Sequence, residues 1–312
     1  MTARGWFLFS LMGVVWGIPY LMIKVAVDAV SPPVVVFTRC ALGAVLLLPF
    51  ALRQGGLART VRAHWRPVLA FAVLEIMGPW FTLTDAERHL SSSTAGLLIA
   101  GVPIVGVVVS RFFVSPDAEH LGARRVTGLM LGLAGVTVLT LPHLTGGDAR
   151  SLAEVLLTVL GYATAPLIAA RRLKEVPSLH LTAACLTLAA LVYAPAAALT
   201  RPSSLPSPSV LAALAGLGVI CTAVAFVAFL ELIKEAGPTR ATVITYVNPA
   251  VAVAAGALLL NEPLSMSVLA SFALILTGSV LATAASGPRR STRPVPWSTR
   301  QTSRADGRVE SP

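Results

Sequence analysis

The chain has 312 residues, 55% of them hydrophobic and only 12% charged, and a formal net charge of +10. Its mean hydropathy of +0.79 lies well outside the balance of soluble domains, which argues against a water-soluble enzyme or binding module and makes lipid the natural solvent. The positive charge does not mark a nucleic-acid binder, because the basic residues gather in alternate loops between apolar runs.

Ten such runs follow one another, each about 18 to 25 residues and long enough to cross roughly 30 Å of hydrocarbon. The first, 6–27, follows MTARG. It exceeds a signal-peptide core and has no small-residue cleavage site behind it, so it is expected to stay as a helix. It carries WGIPYLMIK, with Trp16, Tyr20 and, near its end, Lys24. Span 34–52 holds Arg39. Span 67–84 has Glu75 near its middle and Pro79 four residues on. Proline removes the hydrogen bond to the carbonyl four residues back, here that of Glu75, so a kink is expected. Trp80 and Phe81 follow. Span 92–114 is broken at Pro103, and span 124–141 contains GLMLG. Like GVVWG in the first span, this small-xxx-small pattern reads as close helix packing. Spans 152–170, 179–199 and 209–233 come next. Span 239–260 contains TYVNP, which sets Tyr246 and Asn248 beside a break at Pro249, and span 264–285 ends the series.

With the N-terminus placed in the cytoplasm, the outside loops carry only Arg88, Arg150 and Arg201. Lys24 and Arg39 stand within spans, and every other Lys and Arg falls inside. Both termini are therefore expected to be cytoplasmic, in a multi-pass protein of the plasma or inner membrane. Residues 287–312, rich in Arg, Ser, Thr and Pro, read as a disordered basic tail lying against anionic lipid headgroups.

Displacing the sequence by 146 positions sets Trp16-Gly17 over Tyr162-Ala163, Pro49 over Pro195, Asp85 over Glu231, Arg88 over Lys234 and Pro103 over Pro249. After a three-residue difference in the next loop, Glu119 falls over Glu262 and Gly135 over Gly278. The expected fold is all-α, with ten transmembrane helices as two five-helix repeats, 1–145 and 146–286. Five is odd, so the second repeat enters the membrane from the opposite side. Inverted repeats of this kind recur in transporters, where the halves can exchange conformations.

WGIPYLMIK…SPPVVVFTR with AGLLIAGVPIV resembles the first half of an EamA-type member of the drug/metabolite transporter superfamily. ELIKEAGPTRATVITYVNPAVAVAAGALLLNEPLSMSVLASFALILTGSVL is similar to its second half, and the resemblance covers about residues 6–285. SRFFVSPDAEH departs from it, being longer than the usual short link that contains Gly and Glu. The resemblance implies ten helices around a central cavity and export of small metabolites or drugs by alternating access.

Polar residues within the spans are the candidate substrate and coupling groups. Lys24 and Arg39 lie at comparable depth and read as a cationic outer vestibule suited to carboxylates; the competing reading pairs Lys24 with Asp28, one turn on. Glu75 reads as a proton-coupling or substrate-contacting acid, against a protonated acid that bonds a neighbouring helix. Trp16, Tyr20, Trp80 and Phe81 could wall a cavity or face lipid. Tyr246 and Asn248 sit beside a helix break, and Pro79, Pro103 and Pro249 are the kinks. Asp85 and Glu231 read as surface anchors near helix ends.

Cys40, Cys185 and Cys221 are scattered singly, and the five histidines lack ligand spacing, so no metal or cofactor is expected. No GxxxxGK[ST] occurs, which leaves secondary-active transport of a small metabolite, amino acid-like or otherwise, or of a drug, and not an enzyme. An intramembrane lipid-modifying enzyme and a non-transporting scaffold are the alternatives. A proton as coupling ion and a homodimer stand among the expectations.

Overall fold

The computed structural model describes residues 1–90, 95, 98–113, 122–140, 148–248, 251 and 266–283, and among them every regular element is helical. Six helices are long and apolar enough to cross a membrane: Ala3–Val27, Pro32–Gln54, Trp65–Ala86, Ala149–Arg172, Ser178–Leu199 and Pro208–Ala236. They match six of the runs read from the sequence. Helices Val102–Phe113, Ala123–Thr140, Pro238–Ala241 and Met266–Thr283 fall on the other four. Pro249, the loop around Glu119 and the tail from residue 287 lie outside the described residues.

The distribution of side chains is that of a protein dissolved in lipid. Phe7, Val45, Leu157 and Leu191 stand exposed along the spans, while Arg39 and Glu75 are buried between them. An apolar exterior around buried charges is stable only where the surroundings are apolar too.

Local breaks shape that interior. The first run is two helices, Ala3–Val15 and Pro19–Val27, because Pro19 has no N–H to give the Val15 carbonyl. The Cys221 thiol donates to that carbonyl at 3.4 Å, and the Trp16 indole N–H donates to the Cys221 carbonyl at 3.1 Å. Two further helices contain a π-helical turn each, Ala72–Met77 and Val219–Val224. Displacement by 146 superposes these turns to within one residue. Just before Pro79 the Gly78 N–H reaches back five residues to the Val73 carbonyl, so the expected kink takes the form of a widened turn that contains Glu75.

Contacts between the halves are reciprocal. The first helix packs on Pro208–Ala236, the third helix of the second half, and Trp65–Ala86 packs on Ala149–Arg172 in the converse pairing. Pro32–Gln54 lies against Ser178–Leu199, and each carries its equivalent internal proline, Pro49 or Pro195. GVVWG does pack closely: Gly13 faces Val247 and Gly17 faces Val251.

Helices Ala123–Thr140 and Met266–Thr283 meet backbone to backbone through the GLMLG pattern. A Cβ on Gly278 would stand 2.4 Å from the Gly132 nitrogen and 2.7 Å from the Gly128 carbonyl oxygen. Neither atom can swing aside as a side chain would. Gly278→Ala should therefore destabilise the protein by about 1–3 kcal/mol, the usual cost of overpacking. The check is thermal unfolding of purified protein in detergent. Gly122→Ala, where nothing among the described residues stands within 4 Å, is the control that should leave the transition unmoved.

Candidate functional site

A central cavity with about 650 Å³ of empty space is walled by both halves of the chain. The first half supplies Trp16, Tyr20, Arg39, Glu75 and Trp80, and the second supplies Tyr162, Phe226, Phe229, Thr245 and Asn248. The walls are mostly aromatic and aliphatic with a few polar groups, the make-up of a small-molecule site.

Arg39 is the best-held of these groups. Its guanidinium carbon lies 3.7 Å from the centroid of the Trp80 ring, and its Nε donates to the Thr222 hydroxyl at 3.1 Å. Trp80 is itself fixed edge-to-face on Phe226, with ring centroids 5.4 Å apart. The side chain is only 5% exposed, and no carboxylate pairs with it among the described residues. A buried cation held by an aromatic face and one hydroxyl keeps the end of its donor fork for an anion.

Glu75 lines the same cavity from the π-helical turn. It is 2% exposed, and its Oε2 has no hydrogen-bond partner among the described residues. The site thus holds an unpaired base and an unpaired acid against aromatic walls. Buried polar atoms are normally satisfied, so the Glu75 Oε2 stands out among the described residues. Asn248 also lines the cavity, and its Oδ1 has no partner among the described residues.

The remaining sequence candidates stand elsewhere. Lys24 does not line the cavity; its ammonium donates to the main-chain carbonyl of Glu87 at 3.2 Å. Tyr246 is completely buried and packs its ring over Gly132. Pro79 sits one residue beyond the π-helical turn, and Pro103 is the second residue of the Val102–Phe113 helix. Phe81 stacks on Tyr193, whose hydroxyl donates to the Met77 carbonyl at 2.8 Å.

Phe226, Phe229 and Tyr162 are wall residues that sequence reasoning left among general apolar positions. Tyr162 had a signal, its alignment over Trp16. Glu87 was also missed, and it is fully buried.

Two ion clusters flank the structure. Glu231 accepts from Arg4 at 2.9 Å, from Ser178 at 2.6 Å and from Lys234 at 3.5 Å. Asp85 accepts from Arg150 at 2.6 Å and from Arg88 at 3.2 Å. Under the 146-residue displacement Arg4 becomes Arg150, Asp85 becomes Glu231 and Arg88 becomes Lys234. Each cluster therefore joins the start of one half to the third helix of the other.

Known proteins share this sequence and shape. The chain is 27% identical to the uncharacterized inner membrane transporter YedA of Escherichia coli K12 over 281 residues, covering 88% of this chain and 89% of the relative. It is 24% identical to the uncharacterized transporter YvbV of Bacillus subtilis, covering 88% and 90%. An uncharacterized transporter of Archaeoglobus fulgidus is 22% identical, with 88% and 97% covered. A solved crystal structure superposes with a TM-score of 0.74 at 22% identity, covering 91% of this chain and 97% of its own, which bears on the fold alone. The profile of the EamA-like transporter family matches twice, over residues 3–141 and 151–284. A duplicated match across nearly the whole length, on an apolar helical bundle with a few polar groups in its central cavity, places the chain in the EamA-like transporter family.

Proposed function

We propose that the protein is a secondary-active exporter of a small metabolite or drug, working by alternating access, with ten helices arranged as inverted repeats 1–145 and 146–286 and with both termini cytoplasmic. The observation that carries this reading is the reciprocal pair of ion clusters around one shared cavity. In an inverted repeat the Arg150–Asp85 cluster closes the outer end of the cavity and the Arg4–Glu231 cluster closes the inner end. Breaking one cluster weakens one gate and leaves the other intact. Arg39 meets the negative part of the substrate, Glu75 responds to protons or to positive charge, and the aromatic walls take its apolar part.

In both clusters the arginine is exposed while the acid is partly or wholly buried, and a pair screened on one side is worth on the order of 1 kcal/mol, which corresponds to about five-fold in a conformational ratio. With Thr242→Cys as a cavity reporter in a cysteine-free background, Asp85→Asn should raise labelling by a membrane-impermeant maleimide from outside about five-fold. Glu231→Gln should do the same from the cytoplasmic side only. Increased access from one and the same side in both variants would overturn the inverted arrangement.

A further inference from the structure

The third helix, which already buries Glu75 and Asp85, ends in a further buried acid. Glu87 caps the Gly78–Ala86 segment, is completely buried, and has no hydrogen-bond partner for either carboxylate oxygen among the described residues. Charged and titratable groups surround it: Lys24 and Tyr20 act on it from the Pro19–Val27 helix and Arg39 from the Pro32–Gln54 helix. The Lys24 ammonium is at hand, yet it donates at 3.2 Å to the main-chain carbonyl of Glu87 and not to the carboxylate.

An ionised carboxylate left bare in such a place is strongly disfavoured, so this arrangement belongs to the neutral acid. Burial holds the Glu87 carboxyl well above the ordinary carboxylate range, and Lys24 and then Arg39 pull it back. If the proton leaves, the new charge can be met by Lys24, which needs only to turn its side chain from the carbonyl to the carboxylate of one residue.

We propose that Glu87 is a proton-binding site separate from Glu75, at the Lys24 end of the cavity, with Lys24 as its counter-ion whenever the proton is released. Tyr20 links this site to the cavity, because it lines the wall and lies within the electrostatic reach of Glu87. Release of the proton puts a negative charge behind that wall and draws Lys24 off the end of the third helix. The place of this event in a transport cycle rests on the exporter reading; the titration itself does not.

The test is pH-difference infrared spectroscopy on purified full-length protein, which follows the stretching band of a protonated carboxyl without any transport assay. In a Glu75→Gln background the band of Glu87 should be present and titrate, and it should be missing from Glu75→Gln/Glu87→Gln. Adding Lys24→Gln removes a cation that favours the ionised form, so the midpoint should rise by about one pH unit or more. Identical titrating carboxyl bands with and without Glu87, or a midpoint indifferent to Lys24→Gln, would overturn the proposal. Failure of the exporter reading would show instead as absent flux with the infrared result intact.

Discussion

Replacing Arg39 with glutamine is expected to cut export of anionic and zwitterionic substrates by roughly ten- to a hundredfold while sparing cationic ones. The size follows from a hydrogen bond to a charged group, about 1.5–3 kcal/mol, converted at 1.4 kcal/mol per decade. The structure sharpens the expectation in two ways. The guanidinium stacks on Trp80 and is tied at Nε to Thr222, so its remaining donors are preorganised for a planar anion such as a carboxylate. Arg39→Lys keeps the charge but loses the stack and the fork, and should recover only part of the activity. Lys24→Gln should cost less than Arg39→Gln, because Lys24 is turned to Glu87 and does not line the cavity. The measurement is a comparison of metabolites outside cells with and without overexpression, followed by initial rates for the compounds that change. Equal losses for substrates of either charge would assign Arg39 a structural role.

Arg39 and Glu75 could be found in the sequence because a charge inside an apolar run has few bland explanations. The repeat was legible for a similar reason: Pro49 over Pro195 and Asp85 over Glu231 mark positions where a residue type matters more than its hydropathy. What the register could not say is which arginine meets which acid. Arg4 pairs with Glu231 and Arg150 with Asp85, a crossing between halves that only packing reveals. The π-helical turns were invisible because no composition distinguishes a wide turn from an ordinary one next to a proline. Glu87 escaped because it stands beside Arg88 and His89, in a polar stretch that reads as a loop. Its main chain is met by Lys24 of the Pro19–Val27 helix, far away in sequence. Tyr246, expected as a candidate substrate group beside a helix break, is buried outside the cavity lining. Its neighbour Asn248 lines the cavity, whereas the missing side chain of Gly132 makes room for the Tyr246 ring.

Glu75→Gln is expected to leave substrate binding intact and to abolish the acceleration of flux by an imposed pH gradient. Glutamine keeps the size and hydrogen-bonding capacity of the acid but cannot titrate. The equivalent position in the second half is Cys221, whose thiol fills a structural task by donating to the Val15 carbonyl that Pro19 leaves free. Glu75 shows no comparable bond at its Oε2, which has no partner among the described residues although the residue is buried. An acid that is neither exposed nor fully used by the fold is free to exchange a proton with whatever enters the cavity. In proteoliposomes, wild-type flux should rise about tenfold or more when a pH gradient of two units is imposed, the order expected if one proton moves per substrate. The glutamine variant should run at the same rate with and without the gradient while still showing a substrate-induced thermal shift. Glu75→Asp, shorter but titratable, should keep the gradient dependence at a lower rate. If Glu75→Gln flux still follows the gradient as the wild type does, coupling runs through another group and Glu75 serves only to bind.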